Sequence, residues 1–587
     1  MAITAAETNV CDVLVIGGGL AGALAAIKAR EAGADKVILV DKAKSGRSGC
    51  SAFAAGVMAV FFSEEDDFDL WFATTVERGC YLNDQEFLKI ILDQAFARVK
   101  EMEQWGVTFE KTPDGNFERR LMRGGVKAEP IKAIMFHGPQ MMEAMRKRVI
   151  VSGAKVTDRI MITDLLARDG RVIGAVGFDA INGDFKVFKA RSVVLASGGN
   201  GYKTLFAGHR MITGDGTAMA YRAGARFKGL DIHAYHCSAT DFDTLGMNMF
   251  VTLGGFFINA KGERFLHEYD PVLGDHTLIH TYTQAMALEV MAGRGPIYMD
   301  MTSFKPEDIA KMRVVIPLVC RILEERGVLV EDRITKKIEW CAFFMGTAGG
   351  GGGIDIDKNC ACNLGGLYAA GDAANRKSRG AGGRGVDTAL PFAAVSGAIA
   401  GTSAAKYAKD IEEASVDEAQ VQELRAVTLA PLNRKRGVEP DHVVLALQEI
   451  VSPKEVSIII EESRLRKALE QIEDIASTQL PFVIAYDPHY LRMAHEAQNM
   501  VLCAQMWLKS ILQRKESRGA LLREDYPETD NVNWLKWVTI QKGKEGMETA
   551  TENVPIEQYP LKPKREKFLH PMWQVAERRG IKWGSER

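Results

Sequence analysis

Residues 12–41 constrain this chain more than any other stretch, because they spell out a strand, a glycine turn, a helix and a second strand. The apolar run Asp12–Ile16 stops at Gly17-Gly18-Gly19-Leu20-Ala21-Gly22. A helical stretch follows over Ala23–Ala32, and a second apolar run, Lys36–Val40, ends at Asp41. Each glycine in this spacing has its own physical task. Gly17 permits the tight turn, Gly19 lets a pyrophosphate approach the backbone, and Gly22 lets the helix pack on the strand. The helix N-terminus faces the phosphates. Asp41, 19 residues beyond the last glycine, is placed to accept hydrogen bonds from a ribose. The pattern predicts a Rossmann-like α/β unit that binds a dinucleotide.

Composition narrows what such a unit can serve. The 74 Lys and Arg residues nearly balance 76 Asp and Glu, leaving a net charge of −2 and no general field for nucleic acid or an acidic membrane. The longest apolar stretch, Val13–Ile27, has 15 residues, short of the roughly 20 that span a bilayer. No basic region followed by an apolar one opens the sequence, so no secretory signal is read. Nine cysteines show no C-x-x-C spacing, so neither an iron–sulfur cluster nor a structural zinc is expected within this chain. Reduced thiols and a cytoplasmic location are expected. The sequence predicts no nucleic-acid partner and no direct membrane span; any membrane association would run through partners.

The 56 glycines gather in further clusters. Ala196-Ser197-Gly198-Gly199 follows the apolar run Ser192–Leu195, and Thr213-Gly214-Asp215-Gly216 opens a helix over Thr217–Ala223. Five glycines in a row, Gly349–Gly353, precede Gly365–Asp372 and Gly380–Gly385. An acid after a strand-end glycine, as in Gly371-Asp372, reads by itself as a turn residue. Beside an N-terminal dinucleotide unit it is better read as the acceptor for a ribityl hydroxyl, with a helix near Thr388 pointing its N-terminus at a flavin.

Gly17–Gly22, Asp41, Arg47-Ser48-Gly49, Ala196–Gly199, Thr213–Gly216, Gly262–Phe265, Leu367–Asp372 and Arg384 together resemble the flavoprotein subunits of succinate dehydrogenase and fumarate reductase. Glu516–Gly519, Arg523–Pro527 and Asn533-Trp534 resemble the C-terminal portion of the same subunits. Lys111–Gly115, Gly174–Phe178, Val187–Ala190 and Pro296–Met299 are closer to the adenylylsulfate reductase alpha subunit. The resemblance covers nearly the whole chain. It implies a discontinuous FAD-binding domain over 1–230 and 346–405, a capping domain over 231–345, a helical domain over 406–540 and an extended arm over 541–587. The FAD-contacting residues it implies are Gly17, Gly19, Gly22, Asp41, Lys42, Ser48, Gly49, Gly56, Ala196, Gly198, Asp215, Gly371, Asp372, Thr388 and Leu390.

The departures from this family concern the chemistry. Its covalent flavin histidine is matched by Gly49, so FAD is expected to bind without a covalent link, although Cys50 lies adjacent. His236 matches a substrate histidine and would otherwise be a satisfied buried ring. Arg384 matches the arginine beside substrate and flavin, suited to an anionic group; a phosphate contact or a loop salt bridge is its other reading. The family's proton-donating arginine is replaced by Ile279, with Gln284 at a second arginine position. The other substrate histidine would fall near Thr347-Ala348 and is missing from this sequence, and no metal site is expected. His267, Glu268, His276 and His280 crowd one segment, as substitute acids or as a solvated loop. The expected catalytic set is therefore His236, Arg384, His280 and Glu268. The glycine run at 349–353 suggests a roomier pocket that would admit a thioester or an aromatic ring.

The leading functional expectation is an FAD-dependent oxidoreductase subunit, passing electrons between a small anionic or thioester-like substrate and an iron–sulfur partner subunit. The alternatives are a stand-alone flavin ene-reductase or dehydrogenase on a bulky substrate, and a non-catalytic FAD electron-transfer subunit. From Leu491 to Ile511, apolar residues at three- and four-residue spacing predict a long amphipathic helix over Pro488–Arg514. A helix-like stretch is expected over Pro306–Arg326.

Overall fold

In the computed structural model, which describes residues 7–584 except 55, 122–130, 205–206, 243–246, 347–349, 383–388 and 414, the strand Glu7–Ile16 lies inside a seven-stranded sheet. The order is Lys155–Asp158, Val37–Asp41, Glu7–Ile16, Phe185–Leu195, Arg171–Asp179 and Ile160–Arg168, with Leu367–Ala369 beside the far end of Phe185–Leu195. The first four strands run parallel and the last two return antiparallel. Parallel strands are covered on both faces, which is why Val13–Ile16 and Val37–Val40 read as continuous apolar runs rather than alternating ones. This is the Rossmann-like α/β architecture expected from residues 12–41.

The helix Leu20–Glu31 begins three residues earlier than its sequence pattern suggests, directly at the glycine turn. Nine of its twelve residues are buried, because a second helix, Ala389–Asp410, lies along it. That approach is close enough to fix two residue types. A Cβ at Gly397 would stand 2.3 Å from the Ala21 carbonyl oxygen, and one at Gly401 would stand 2.1 Å from that of Ala25.

A separate antiparallel sheet is built from Ala234–Ala239, Ile338–Gly346, Ile297–Asp300 and Phe256–Ile258. Helix Ile279–Met291 packs on it and shares its core. The stretch expected over 306–326 is two helices, Pro306–Val315 and Pro317–Glu325. They part at Ile316 (φ −132°, ψ 56°), since the ring of Pro317 excludes helical geometry from the residue before it. Helices Glu418–Leu429, Pro440–Val451, Glu462–Asp474 and Pro488–Gln513 follow. The last has its Leu491–Ile511 stripe buried, as expected.

The segment 541–587 is not an extended arm. Met547–Asn553 pairs with Lys536–Lys542, which pairs in turn with Phe227–Lys228. Helix Pro571–Arg578 then buries Met572, Trp573, Val575 and Ala576 in the same core as Tyr235 and Tyr282. Prolines and charges at sequence level conceal this, because the apolar residues that anchor the segment are few and widely spaced. Among the described residues, no helix is long and apolar enough to cross a membrane, and no group of three or more His, Cys, Asp or Glu is placed to hold a metal ion.

Candidate functional site

The glycine turn opens one end of a long groove. Gly17 adopts φ +110°, and a Cβ there would stand 2.4 Å from the Ala196 carbonyl oxygen; a Cβ on Gly22 would stand 1.8 Å from the Gly17 carbonyl oxygen. These two glycines are demanded by the protein's own backbone. Gly19 is different. Its Cβ would meet only Ser51 Oγ, at 3.3 Å, so the space in front of it is left for something else.

Gly17, Gly19, Asp41, Lys42, Ser48, Gly49, Ala196, Gly198, Asp215, Gly371, Asp372 and Leu390 all line this groove. Ala389, Leu390 and Ala393 place the first turn of the helix Ala389–Asp410 on its wall. Gly22 lies beneath the turn rather than on the wall. Gly56 also stands off the wall: with φ +77° and its carbonyl accepting from Phe136 N at 3.0 Å, it turns the chain into strand Val57–Ala59. Thr388 lies outside the described residues.

The groove fits FAD on three counts from its own residues. Gly19 leaves a cradle that a side chain would fill. Ser197 Oγ is buried in the wall with no hydrogen-bond partner among the described residues. The helix N-terminus at Leu20 faces the same space, with helical polarity suited to a pyrophosphate. Asp41 is more constrained than a simple ribose acceptor. Its Oδ2 accepts the Gly18 N–H at 2.7 Å and its Oδ1 the Ala43 N–H at 2.8 Å. Burial pushes its carboxyl up, although these two N–H groups and Lys42 pull the other way.

Lys42 and Asp215 form an ion pair at 2.7 Å on the same wall. Burial alone would lower the lysine, but Asp215 and Glu496 hold it above the usual lysine range. Arg376, 3% exposed, lines the groove with its Nη1 3.3 Å from Asp372 Oδ1. His209, 3% exposed, lines it beside the short helix Gly49–Ala52. Neither was expected from sequence. Arg376 carried a faint signal, standing four positions after Asp372; His209 carried none.

The cap-facing wall is apolar. Leu278, Ile279, Tyr282 and Met345 form it, and Phe53 also lines the groove. Residues 279 and 282 share one face of helix Ile279–Met291, three positions apart. Of the expected catalytic residues, the described His236, His280 and Glu268 are not among those lining this groove. His236 sits half-buried in strand Ala234–Ala239, its ring 6.1 Å from Phe343 and its Nδ1 accepting the Cys237 N–H at 2.8 Å, away from the groove wall. Tyr235 and Cys237 occupy the opposite strand face, so strand alternation fixes the direction of His236. Glu268 is exposed on the short helix Leu266–Tyr269, whose buried Leu266 and Tyr269 turn it outward.

His280 is one residue beyond Ile279, yet it faces Arg379, Arg78 and His570 instead of the groove. Burial, then Arg379 and Arg78, pull it down to about 4, so it is neutral near pH 7. His267 is bound to Asp275 at 3.2 Å on the surface, and His276 is exposed. Arg384 and the Thr347-Ala348 position lie outside the described residues.

Within the glycine run, Gly352 and Gly353 do not open a roomier pocket. A Cβ on Gly352 would stand 2.4 Å from the Gly229 carbonyl oxygen and one on Gly353 2.5 Å from the Ala374 carbonyl carbon. Gly352 and Gly353 are therefore required by backbone packing, a Cβ on Gly351 would stand 3.2 Å from the Gly380 carbonyl oxygen, and Gly349 lies outside the described residues.

Residues 12–385 match the family described as FAD binding domain, and residues 445–568 match the family described as fumarate reductase flavoprotein C-term. The chain is 30% identical over 560 residues to one subunit of fumarate reductase (CoM/CoB) from Methanothermobacter marburgensis, spanning 92% of this chain and 98% of that protein. Among solved structures, Mycobacterium smegmatis Sdh1 in complex with UQ1 superposes with a TM-score of 0.80 at 27% identity, over 94% of this chain and 96% of that one. Adenylylsulfate reductase from Archaeoglobus fulgidus shares the fold, with a TM-score of 0.76 at 23% identity over 94% and 96% of the two chains.

Proposed function

Since the chain belongs to the FAD-binding flavoprotein subunits of the fumarate reductase and succinate dehydrogenase family, we propose that it passes electrons between an organic substrate and an iron–sulfur partner chain. It is an FAD-dependent oxidoreductase. The substrate we assign is an enoyl or acyl compound with an apolar body beside an anionic or thioester-like group.

One observation carries the substrate assignment: Leu278 and Ile279 line the cap-facing wall, and the family resemblance sets Ile279 at the position of the proton-donating arginine. An aliphatic wall rewards burial of apolar surface, at roughly 25 cal/mol per Å², and offers nothing to a second carboxylate. Such a wall favours a substrate with an apolar body over a dicarboxylate such as fumarate. The iron–sulfur partner is supported by the relative's name, which is that of one chain of a complex, and by cysteine spacing that provides no cluster within this chain.

The residues that would hold FAD are the Gly17–Gly19 turn, Ser197, Gly371-Asp372 and the first turn of the helix at Leu390. When bound, FAD supplies two-electron transfer at its ring system. The chain's own contribution is orientation, exclusion of water and proton handling. Leu278, Ile279 and Met345 close the cap side and keep water from the reacting face. The buried Arg376 guanidinium supplies positive charge to the groove, where negative charge accumulates during reduction. Tyr282 is an ionisable side chain of the helix Ile279–Met291 that lines the wall, and we assign its phenol the exchange of a proton with substrate.

The test is to purify the protein from its native source, identify companion chains, photoreduce the flavin, and add a short enoyl thioester, an aromatic enone, fumarate or adenylylsulfate in turn. Reoxidation by the thioester or the enone, with an iron–sulfur companion copurified, is expected. Rapid reoxidation by fumarate would overturn the substrate assignment. Purification without an iron–sulfur companion would favour the stand-alone enzyme.

A further inference from the structure

The wall that carries Lys42 and Asp215 is completed by the helical region, not by the FAD-binding part of the chain. Lys42 Nζ donates to Thr213 Oγ1 at 2.7 Å, to Asp215 Oδ2 at 2.7 Å and to Glu496 Oε1 at 2.9 Å. All three ammonium hydrogens are thereby engaged. Asp215 Oδ1 accepts from Asn499 Nδ2 at 2.9 Å. Glu496 and Asn499 lie three positions apart on helix Pro488–Gln513, so one helix face meets both members of the ion pair.

Glu496 is fully buried. Its Oε2 accepts from Lys203 at 2.7 Å, and Arg492 also reaches Oε1. Burial would raise this carboxyl, but Lys42, Lys203 and Arg492 hold it well below the usual range. A carboxylate so enclosed stays charged and immobile, and it leaves the long lysine stem one position. Lys42 directly follows Asp41, the acid at the nucleotide end of the groove.

We propose that Glu496 is a positioning residue for the cofactor: it pins the Lys42 ammonium, and with it the Lys42–Asp215 pair, so that FAD is held firmly only while helix Pro488–Gln513 is docked. This rests on the FAD reading of the groove. Without Glu496, Lys42 keeps one carboxylate partner and gains freedom to leave the wall, while Lys203 and Arg492 lose their shared acceptor.

The test uses purified full-length holoprotein and follows flavin fluorescence after dilution. Glu496→Gln is expected to release FAD at least ten-fold faster than wild type. Lys42→Met is expected to release it faster as well, and Glu496→Gln is expected to add nothing in the Lys42→Met background, because it acts through that lysine. A merely structural role for Glu496 would instead give independent, additive effects. In the wild type, adding FAD to flavin-stripped protein is expected to slow amide hydrogen exchange in Pro488–Gln513. Should Glu496→Gln fail to fold, Glu496→Asp, which keeps the charge one methylene short of Lys42, is expected to show intermediate release. Wild-type release from a folded Glu496 variant, additivity in the double variant, or unchanged exchange in the helix would each overturn the proposal. A wild-type protein that never takes up FAD would instead overturn the cofactor reading.

Discussion

Asp41 Oδ2 accepts the backbone N–H of Gly18 at 2.7 Å, so the acid at the end of the second strand braces the glycine turn that follows the first. Its other oxygen holds the Ala43 N–H at 2.8 Å. Asp41→Asn can satisfy only one of these donors and turns an amide N–H₂ toward the other. The expected cost is about 1–3 kcal/mol of stability, seen in chemical denaturation, together with weaker FAD retention. Unchanged stability would show that the brace is dispensable.

Gly19 and Gly22 should separate folding from cofactor binding. Gly19 has φ −74°, which alanine adopts freely, and its Cβ would touch little. Gly19→Ala should keep the flavin-free protein within about 0.5 kcal/mol of wild type while reducing the bound flavin absorbance. Gly22→Ala drives a methyl to 1.8 Å from a backbone oxygen and should cost about 3 kcal/mol or more, or prevent soluble expression. Equal behaviour of the two variants would count against the cradle assigned to Gly19.

Tyr282→Phe keeps the ring beside Phe257, 5.9 Å away, and removes only the hydroxyl. Flavin content and thermal stability should stay near wild type, while substrate-driven reoxidation of photoreduced flavin should slow by about 10²–10⁴-fold. A rate within a factor of two of wild type would remove Tyr282 from the proton path.

His570 caps the helix Pro571–Arg578 by accepting the Met572 N–H on Nδ1 at 3.3 Å, which requires an unprotonated ring. Burial, then His280 and Arg518, pull it down to about 3, below the 6.5 of a free histidine. The unfolded chain therefore binds the proton first. Its contribution to stability is present above pH 6.5 and declines as pH falls toward 3. Between pH 7 and pH 5 this one group should remove about 2 kcal/mol. His570→Asn keeps an acceptor at the cap and should flatten that part of the pH dependence in denaturant titrations.

Trp573→Ala tests whether the C-terminal segment is structural. The indole is fully buried, and its Nε1 donates to the Arg523 carbonyl at 3.0 Å. Truncation should cost about 3–5 kcal/mol in denaturant unfolding. A freely extended arm would lose almost nothing, and that result would contradict the packing described above.

The sequence alone determined the cofactor end of this protein. Strand, glycine turn, helix, strand and acid lie within 30 consecutive residues, so backbone geometry there depends on neighbours in the chain. Gly17, Gly22 and Asp41 are legible for that reason. The cap-facing end of the groove was not legible, because its walls are assembled from residues far apart in sequence. His236 matches a family motif, yet the alternation of its strand turns it off the groove wall. His280 lies next to Ile279, but a step of one residue on a helix rotates the side chain by about 100°, and burial, with Arg379 and Arg78 beside it, then keeps it neutral. The glycines at 351–353 read as lost side chains, whereas the backbones of Gly229 and Ala374 leave no room for a Cβ on Gly352 or Gly353. Lys42 was legible as a groove residue, but its partner Glu496 stands 454 positions away. Local backbone rules are written into adjacent residues; which charge meets which, and which face of a helix meets the substrate, is decided only when distant segments pack and exclude water.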